Sequence, residues 1–203
     1  MSLTAQQRNA VSRRVTLIGS CIDAVLGISK ILVGWIVHSP ALIADGFHSF
    51  SDLLTDIGVI FFSHWAQNAP DDDHPYGHHR YETLGTVIIG TSLVVVASAI
   101  AWNNILAMIY GTNTANASYL AIIIALVSIV SKEWIFRYTI KYSKQLNSKL
   151  LEANAWHSRS DAFSSVVVLF GVIATWFGYA WLELIAAMVV AVLIGNMGVR
   201  LTW

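Results

Sequence analysis

Charge is scarce in this chain. Asp, Glu, Lys and Arg make up 12% of its 203 residues, against about 25% in a soluble domain. Hydrophobic residues reach 56% and mean hydropathy is +0.60, so nearly all of the chain belongs in a membrane. Net charge is zero, and bulk electrostatics therefore names no nucleic-acid partner. The single cysteine, Cys21, excludes an intramolecular disulfide and a thiolate zinc cluster. Only three prolines occur, which suits long unbroken helices. Neither His-Glu-x-x-His nor Gly-x-Ser-x-Gly is present, so the common hydrolase signatures are missing.

What remains is six apolar runs, expected as spans at about 15–37, 41–65, 81–110, 119–142, 151–176 and 181–200. Each has the ~20 residues needed to cross ~30 Å of hydrocarbon. Residues 1–12 form a polar arm, and the run after Arg13 and Arg14 is too long for a signal peptide, so the first span is expected to be retained. The arm, the loops after spans 2 and 4, and the tail carry Arg8, Arg13, Arg14, Arg80, Lys141, Lys144, Lys149 and Arg200. The other loops carry no Lys or Arg. Both termini are therefore expected in the cytoplasm. Trp35, Trp65, Trp134, Trp176 and Trp181 fall near span ends, as an aromatic belt would.

One motif is used twice. Ala44-Asp45-Gly46-Phe47-His48-Ser49-Phe50-Ser51-Asp52 recurs as Ala153-Asn154-Ala155-Trp156-His157-Ser158-Arg159-Ser160-Asp161. Each copy sets a His and an Asp four residues apart, on one face of a helix. Three crossings per half make the halves inverted, which places a shared site near the midplane at their interface. At 1.5 Å per residue, His48, Asp52, His157 and Asp161 fall between ~9 and ~19 Å from the inner surface, which permits one site. A single pair would more often be a packing hydrogen bond within its helix. Two copies in matching context point instead to a four-ligand divalent metal site. Imidazole and carboxylate donors suit Zn²⁺, with Co²⁺, Cd²⁺ and Fe²⁺ close behind. Two carboxylates and a dication sum to zero charge. Protons are the natural replacement, because imidazoles must be neutral to ligate.

Other polar groups carry weaker expectations. Asp45 and Asp56 share the stripe of His48 and Asp52 and can line the outer and inner approaches, although a water-filled cavity wall is the plainer reading. Asn154 is the counterpart of Asp45 and is expected to make polar packing contacts. In the loop after span 2, Asp71, His74 and His78 fit either a solvated segment or a second, cytoplasm-facing metal site. Asp23 and Lys30, seven apart on span 1, can pair through water or with other helices. Glu133 and Arg137 read as an ordinary i, i+4 pair, and Glu183 as a cap on span 6 near the outer surface.

With these residues in view, the chain resembles the cation diffusion facilitator family, proton-coupled exporters of zinc and related metals. The stretch from Ser39-Pro40-Ala41 through His48 and Asp52, the loop Asp71–His79 with Arg80-Tyr81-Glu82, and Asn154 with His157 and Asp161 carry the resemblance across almost the whole chain. It implies that His48, Asp52, His157 and Asp161 form the transport site, in the pattern of zinc-preferring members. Members with other residues there favour manganese or iron. It also implies that Asp71, His74 and His78 match a second family site. The family usually continues past span 6 into a cytoplasmic ferredoxin-like domain that holds a dimer, and that domain is absent from this sequence. Arg80 stands where the family often has a basic residue whose acidic partner lies beyond this chain.

The expectation is thus an all-α membrane protein: a six-helix cation-efflux transmembrane domain over residues 13–203, built as a 3+3 inverted repeat. It would sit in a lipid bilayer, the bacterial inner membrane, as a homodimer, exporting Zn²⁺ against protons by alternating access. Cd²⁺, Co²⁺ or Fe²⁺ are the alternative cargoes. Two readings from other classes are an intramembrane zinc hydrolase using Asp45 or Asp56 as base, and a metal sensor or store.

Overall fold

The computed structural model describes residues 5–66, 80–111 and 118–203. Among them lie six helices and no strands: α1 Ala5–Ile36, α2 Pro40–Ala66, α3 Arg80–Tyr110, α4 Tyr119–Leu146, α5 Lys149–Trp176 and α6 Trp181–Thr202. Five are long and apolar enough to cross a membrane: Ala10–Ile36, Thr83–Tyr110, Tyr119–Leu146, Leu151–Trp176 and Trp181–Thr202. The other helix, α2, carries His48 and three aspartates. Helix α1 begins well ahead of Val15, so most of the expected arm is helical.

The turns explain the hairpins. Helix α1 ends where His38 takes a left-handed conformation (φ 55°). Ser39 then accepts from the Leu42 N–H, and Pro40 opens α2, where a missing N–H costs nothing. At the other end of the bundle, Asn147 closes α4 in the left-handed region and Ser148 caps α5 through Leu151 N. Turns this short force neighbouring helices antiparallel.

The packing follows the expected pseudo-symmetry. Helix α1 packs on α2 as α4 packs on α5, and α2 packs on α3 as α5 packs on α6. Across the halves, α3 packs on α6 and α1 on α4. Both cross-half pairs are antiparallel. A Cβ on Gly90 would meet the Gly198 carbonyl while Gly195 lies beside Ala97, and Gly19 faces Ile135 while Asp23 reaches Lys132. With α2 antiparallel to both α1 and α3, the N- and C-terminal ends lie at one face of the bundle. The symmetry is incomplete, because α2 also packs on α6 while α3 and α5 make no comparable contact among the described residues.

Polarity is inside out relative to a soluble bundle. Val95, Trp102, Val130, Phe163, Phe170 and Val192 point outward, while Lys30, Asp45, Asp52, Lys132, Asp161 and Glu183 are buried. Exposed apolar side chains on every helix are what lipid requires, and ionisable groups in such a protein face its interior. An apolar core from Leu42, Leu93, Val168, Val172, Val190 and Ile194 fills the half of the bundle nearer the α1–α2 turn. Asp23, Asp52, Lys132 and Asp161 lie nearer the termini, Lys30 and Asp45 closer to the α1–α2 turn, and Glu183 beside Ser39 at that turn.

Candidate metal centre

The two motif copies meet. Helices α2 and α5 pass antiparallel, so each histidine faces the other copy's aspartate. His48 Nε2 lies 3.9 Å from Asp161 Oδ1, and His157 Nε2 lies 3.8 Å from Asp52 Oδ1. Within α5, His157 Nδ1 stands 3.9 Å from Asp161 Oδ1. All three separations exceed hydrogen-bond length, so the alternative of simple His–Asp packing bonds is not what forms. Ligand atoms of His48, Asp52 and Asp161 all lie within 4.8 Å of one another. Donors 2.0–2.1 Å from a tetrahedral zinc ion stand about 3.3–3.4 Å apart, about half an ångström closer than the His–Asp separations and further inside the 4.8 Å bound. Ligation requires a small contraction, and it commits one nitrogen of His157, whose ring sets each nitrogen toward a different carboxylate.

Among the described residues, both carboxylate oxygens of Asp52 and Nδ1 of His48 are buried without a hydrogen-bond partner. A buried carboxylate of that kind is costly in a protein interior, and a cation is its usual remedy. A cavity of about 20 Å³ adjoins it, lined by Ser20, Asp23, Asp52, Asn154, His157 and Asp161 among others. That is room for one water or ion. His157, half exposed, lines this cavity together with Thr16 and Asn154, which lie nearer the termini.

Two buried lysines complete the centre, and spacing did not reveal their roles. Lys132 on α4 is fully enclosed. Its ammonium contacts Asp23 Oδ1 at 2.8 Å and donates to Asp161 Oδ2 at 3.0 Å. The charge sum read from sequence therefore changes: Asp23 and Lys132 cancel, and Asp52 with Asp161 still balance one dication. A signal for Lys132 existed. Ala121, Ala125, Ser128, Lys132, Ile135, Thr139 and Ser143 recur at helical spacing as a mostly small and polar buried face.

Lys30 and Asp45 form a second layer about one helical turn toward the α1–α2 turn. Lys30 Nζ lies 2.8 Å from Asp45 Oδ2 and donates to Ser49 and Ser165. Ser164 and Ser165 donate to the same carboxylate at 3.0 and 2.8 Å, and Ser128 shares a hydrogen bond with Ser165. Asp45 is thus sealed by α1 and α5 and does not border an open approach. Lys30 pairs across helices, not with Asp23 on its own. Asn154 lines the cavity beside His157. Asp56 belongs to α2, but its side chain lies outside the described residues, as do Asp71, His74 and His78. Glu133 and Arg137 pair at 2.7 Å on the surface. Glu183 departs from expectation: its carboxylate does not face out as a cap but is buried, accepting from Ser39 and from Thr175.

Residues 16–203 match the model of the cation efflux transmembrane domain. The chain is 40% identical over 175 residues to an uncharacterized transporter of Methanocaldococcus jannaschii, covering 86% of this chain and 62% of that protein. It is 34% identical to metal tolerance protein C1 of Arabidopsis thaliana, covering 96% of this chain and 44% of that one. It is 33% identical to the manganese efflux system protein MneP of Bacillus subtilis, covering 97% and 68%.

Proposed function

The chain belongs to the cation efflux family, and from that premise we propose that it exports a divalent metal ion, Zn²⁺ first among them, in exchange for protons. The reading rests on one observation. Two inverted copies of a His-x-x-x-Asp motif place reciprocal His–Asp pairs 3.8 and 3.9 Å apart around an unpartnered buried carboxylate. His48, Asp52, His157 and Asp161 are the ligands. Two imidazoles and two carboxylates favour a four-coordinate ion of zinc type, with Cd²⁺, Co²⁺ and Fe²⁺ as further cargoes. The relative named for manganese efflux makes Mn²⁺ the informative competitor.

Proton coupling follows from the ligand chemistry. A protonated imidazole repels the cation, and a protonated carboxyl loses its charge for it. Protons entering from the trans side therefore expel the ion, and their departure to the cytoplasm restores the site. Thr16 and Asn154, which line the cavity beside the ligands, lie on the side of it nearer both termini. By the Lys and Arg bias that side is cytoplasmic, so this conformation is the one that loads. The molecule is proposed to work as a homodimer in the bacterial inner membrane, with Asp71, His74 and His78 as a second, cytoplasmic site.

Proteoliposomes test the reading. With an inward proton gradient, wild type should move zinc outward relative to the terminal face, and Asp161→Ala should not. Undiminished zinc flux in Asp161→Ala would rule the site out. Zinc binding with no gradient-driven flux would leave a store or sensor instead.

A further inference from the structure

Lys132 divides the two oxygens of Asp161 between two tasks. Oδ2 receives the ammonium at 3.0 Å, while Oδ1 faces His48 and His157, each at 3.9 Å. The ammonium is held in place from behind by Asp23 on α1, at 2.8 Å. It is fully buried, so water cannot substitute for either contact. Asp52 is different, since neither of its oxygens has a hydrogen-bond partner among the described residues. The two carboxylates that sequence symmetry makes equivalent are therefore chemically unequal. Lys132 is the cause, because it reaches only one of them.

We infer that Lys132 is a positioning residue that makes Asp161 a one-oxygen ligand and so holds the centre to a low coordination number, selecting cations of zinc type over those of manganese type. This rests on the assignment of His48, Asp52, His157 and Asp161 as ligands. The physical argument is one of geometry. A carboxylate can grip a metal through both oxygens only if both are free. With Oδ2 committed to an ammonium, bidentate grip by Asp161 would push a dication toward a fixed positive charge. Two nitrogens and two single oxygens make a tetrahedral set, which zinc accepts. Manganese prefers six oxygen-rich ligands, and these four leave it short. Groups behind a ligand commonly alter metal affinity by roughly ten- to a hundredfold.

The probe is Co²⁺, whose visible absorption is intense in tetrahedral and weak in octahedral surroundings. The full chain in detergent is titrated with Co²⁺, then with Zn²⁺ and Mn²⁺ in competition. Wild type is expected to show the intense band. Asp23→Asn alone is measured as the reference for the double variant. Lys132→Met combined with Asp23→Asn keeps the net charge of the centre and frees Asp161 Oδ2. It is expected to weaken the band and to shift preference from Zn²⁺ toward Mn²⁺ by roughly tenfold or more. A weak octahedral spectrum in wild type overturns the inference even if the double variant does not fold. So does a double variant with the wild-type band and the wild-type Zn²⁺ to Mn²⁺ ratio. If His48→Ala and His157→Ala both leave the Co²⁺ spectrum unchanged, the ion binds elsewhere, and the ligand assignment fails together with the inference.

Discussion

Lys30 is an expensive residue to enclose in lipid, and its surroundings show how the expense is met. Its ammonium has a carboxylate at 2.8 Å and two serine hydroxyls within 3.2 Å. Removing one member of such a pair leaves the other charge uncompensated, at a cost of about 3–5 kcal/mol, whereas removing both is far milder. Lys30→Met should accordingly lower thermal stability in detergent markedly, and adding Asp45→Asn should recover most of the loss. A fully additive pair would mean that Lys30 and Asp45 are not coupled. A second residue-level expectation concerns pH. Ligating imidazoles bind metal only when neutral, so affinity at His48 and His157 should fall on acidification. Metal binding should also release protons, which titration in buffers of different ionisation enthalpy would count. Affinity unchanged between pH 8 and pH 5.5 would exclude both histidines as ligands. At this scale the sequence was only partly readable. The His–Asp pairs declare themselves because both partners sit on one helix and the pattern repeats. Lys30–Asp45 and Lys132–Asp161 do not, because each joins different helices, 15 and 29 residues apart in the chain, and no local period records it.

Helices meet closely where side chains are absent. A Cβ on Gly90 would stand 2.6 Å from the Gly198 carbonyl oxygen, and one on Gly198 would stand 2.6 Å from that of Gly90. The α3–α6 contact therefore depends on backbone touching backbone, as small residues permit between membrane helices. Gly90→Val must part the two helices and should destabilise by about 1–3 kcal/mol or more, read as a lower unfolding temperature. Because α3 contributes none of the four ligands, Co²⁺ affinity in the surviving folded fraction should stay near wild type. Lost affinity with unchanged stability would contradict that separation. Element boundaries were legible to within a few residues for α2, α3, α5 and α6, since Pro40, the Asn/Thr/Gly stretch after Tyr110 and Gly178 punctuate them. The start of α1 lies well ahead of its apolar run, in polar helix. A hydropathy run stops at the membrane surface, but hydrogen-bonded helix does not have to.

At the scale of the whole molecule, two polar layers lie across the bundle. The layer nearer the termini holds Asp23, His48, Asp52, Lys132, His157 and Asp161 and touches the open cavity. The layer nearer the α1–α2 turn holds Lys30, Asp45, Ser49, Ser128, Ser164 and Ser165 and is closed, each of these being buried. Beyond it the apolar core continues without a wetted route in the described residues. An ion in the first layer can therefore leave only the way it entered, unless the second layer parts. That layer is made of side chains from α1, α2, α4 and α5, the same four helices that hold the ligands or Lys132 and Asp23. Parting α1 and α2 from α4 and α5 would break its hydrogen bonds from Lys30 to Ser165 and from Ser164 and Ser165 to Asp45. Accessibility measures this directly. In a Cys21→Ser background, Ser20→Cys borders the cavity and should react with a membrane-impermeant thiol reagent from the terminal side, while Ser165→Cys should be inert from either side. Conditions that favour release, with the opposite compartment acidified, should reverse the order: Ser20→Cys becomes protected and Ser165→Cys becomes reactive from the far side. Simultaneous reaction of both positions from one face would describe a pore, and the second layer would then be no barrier at all.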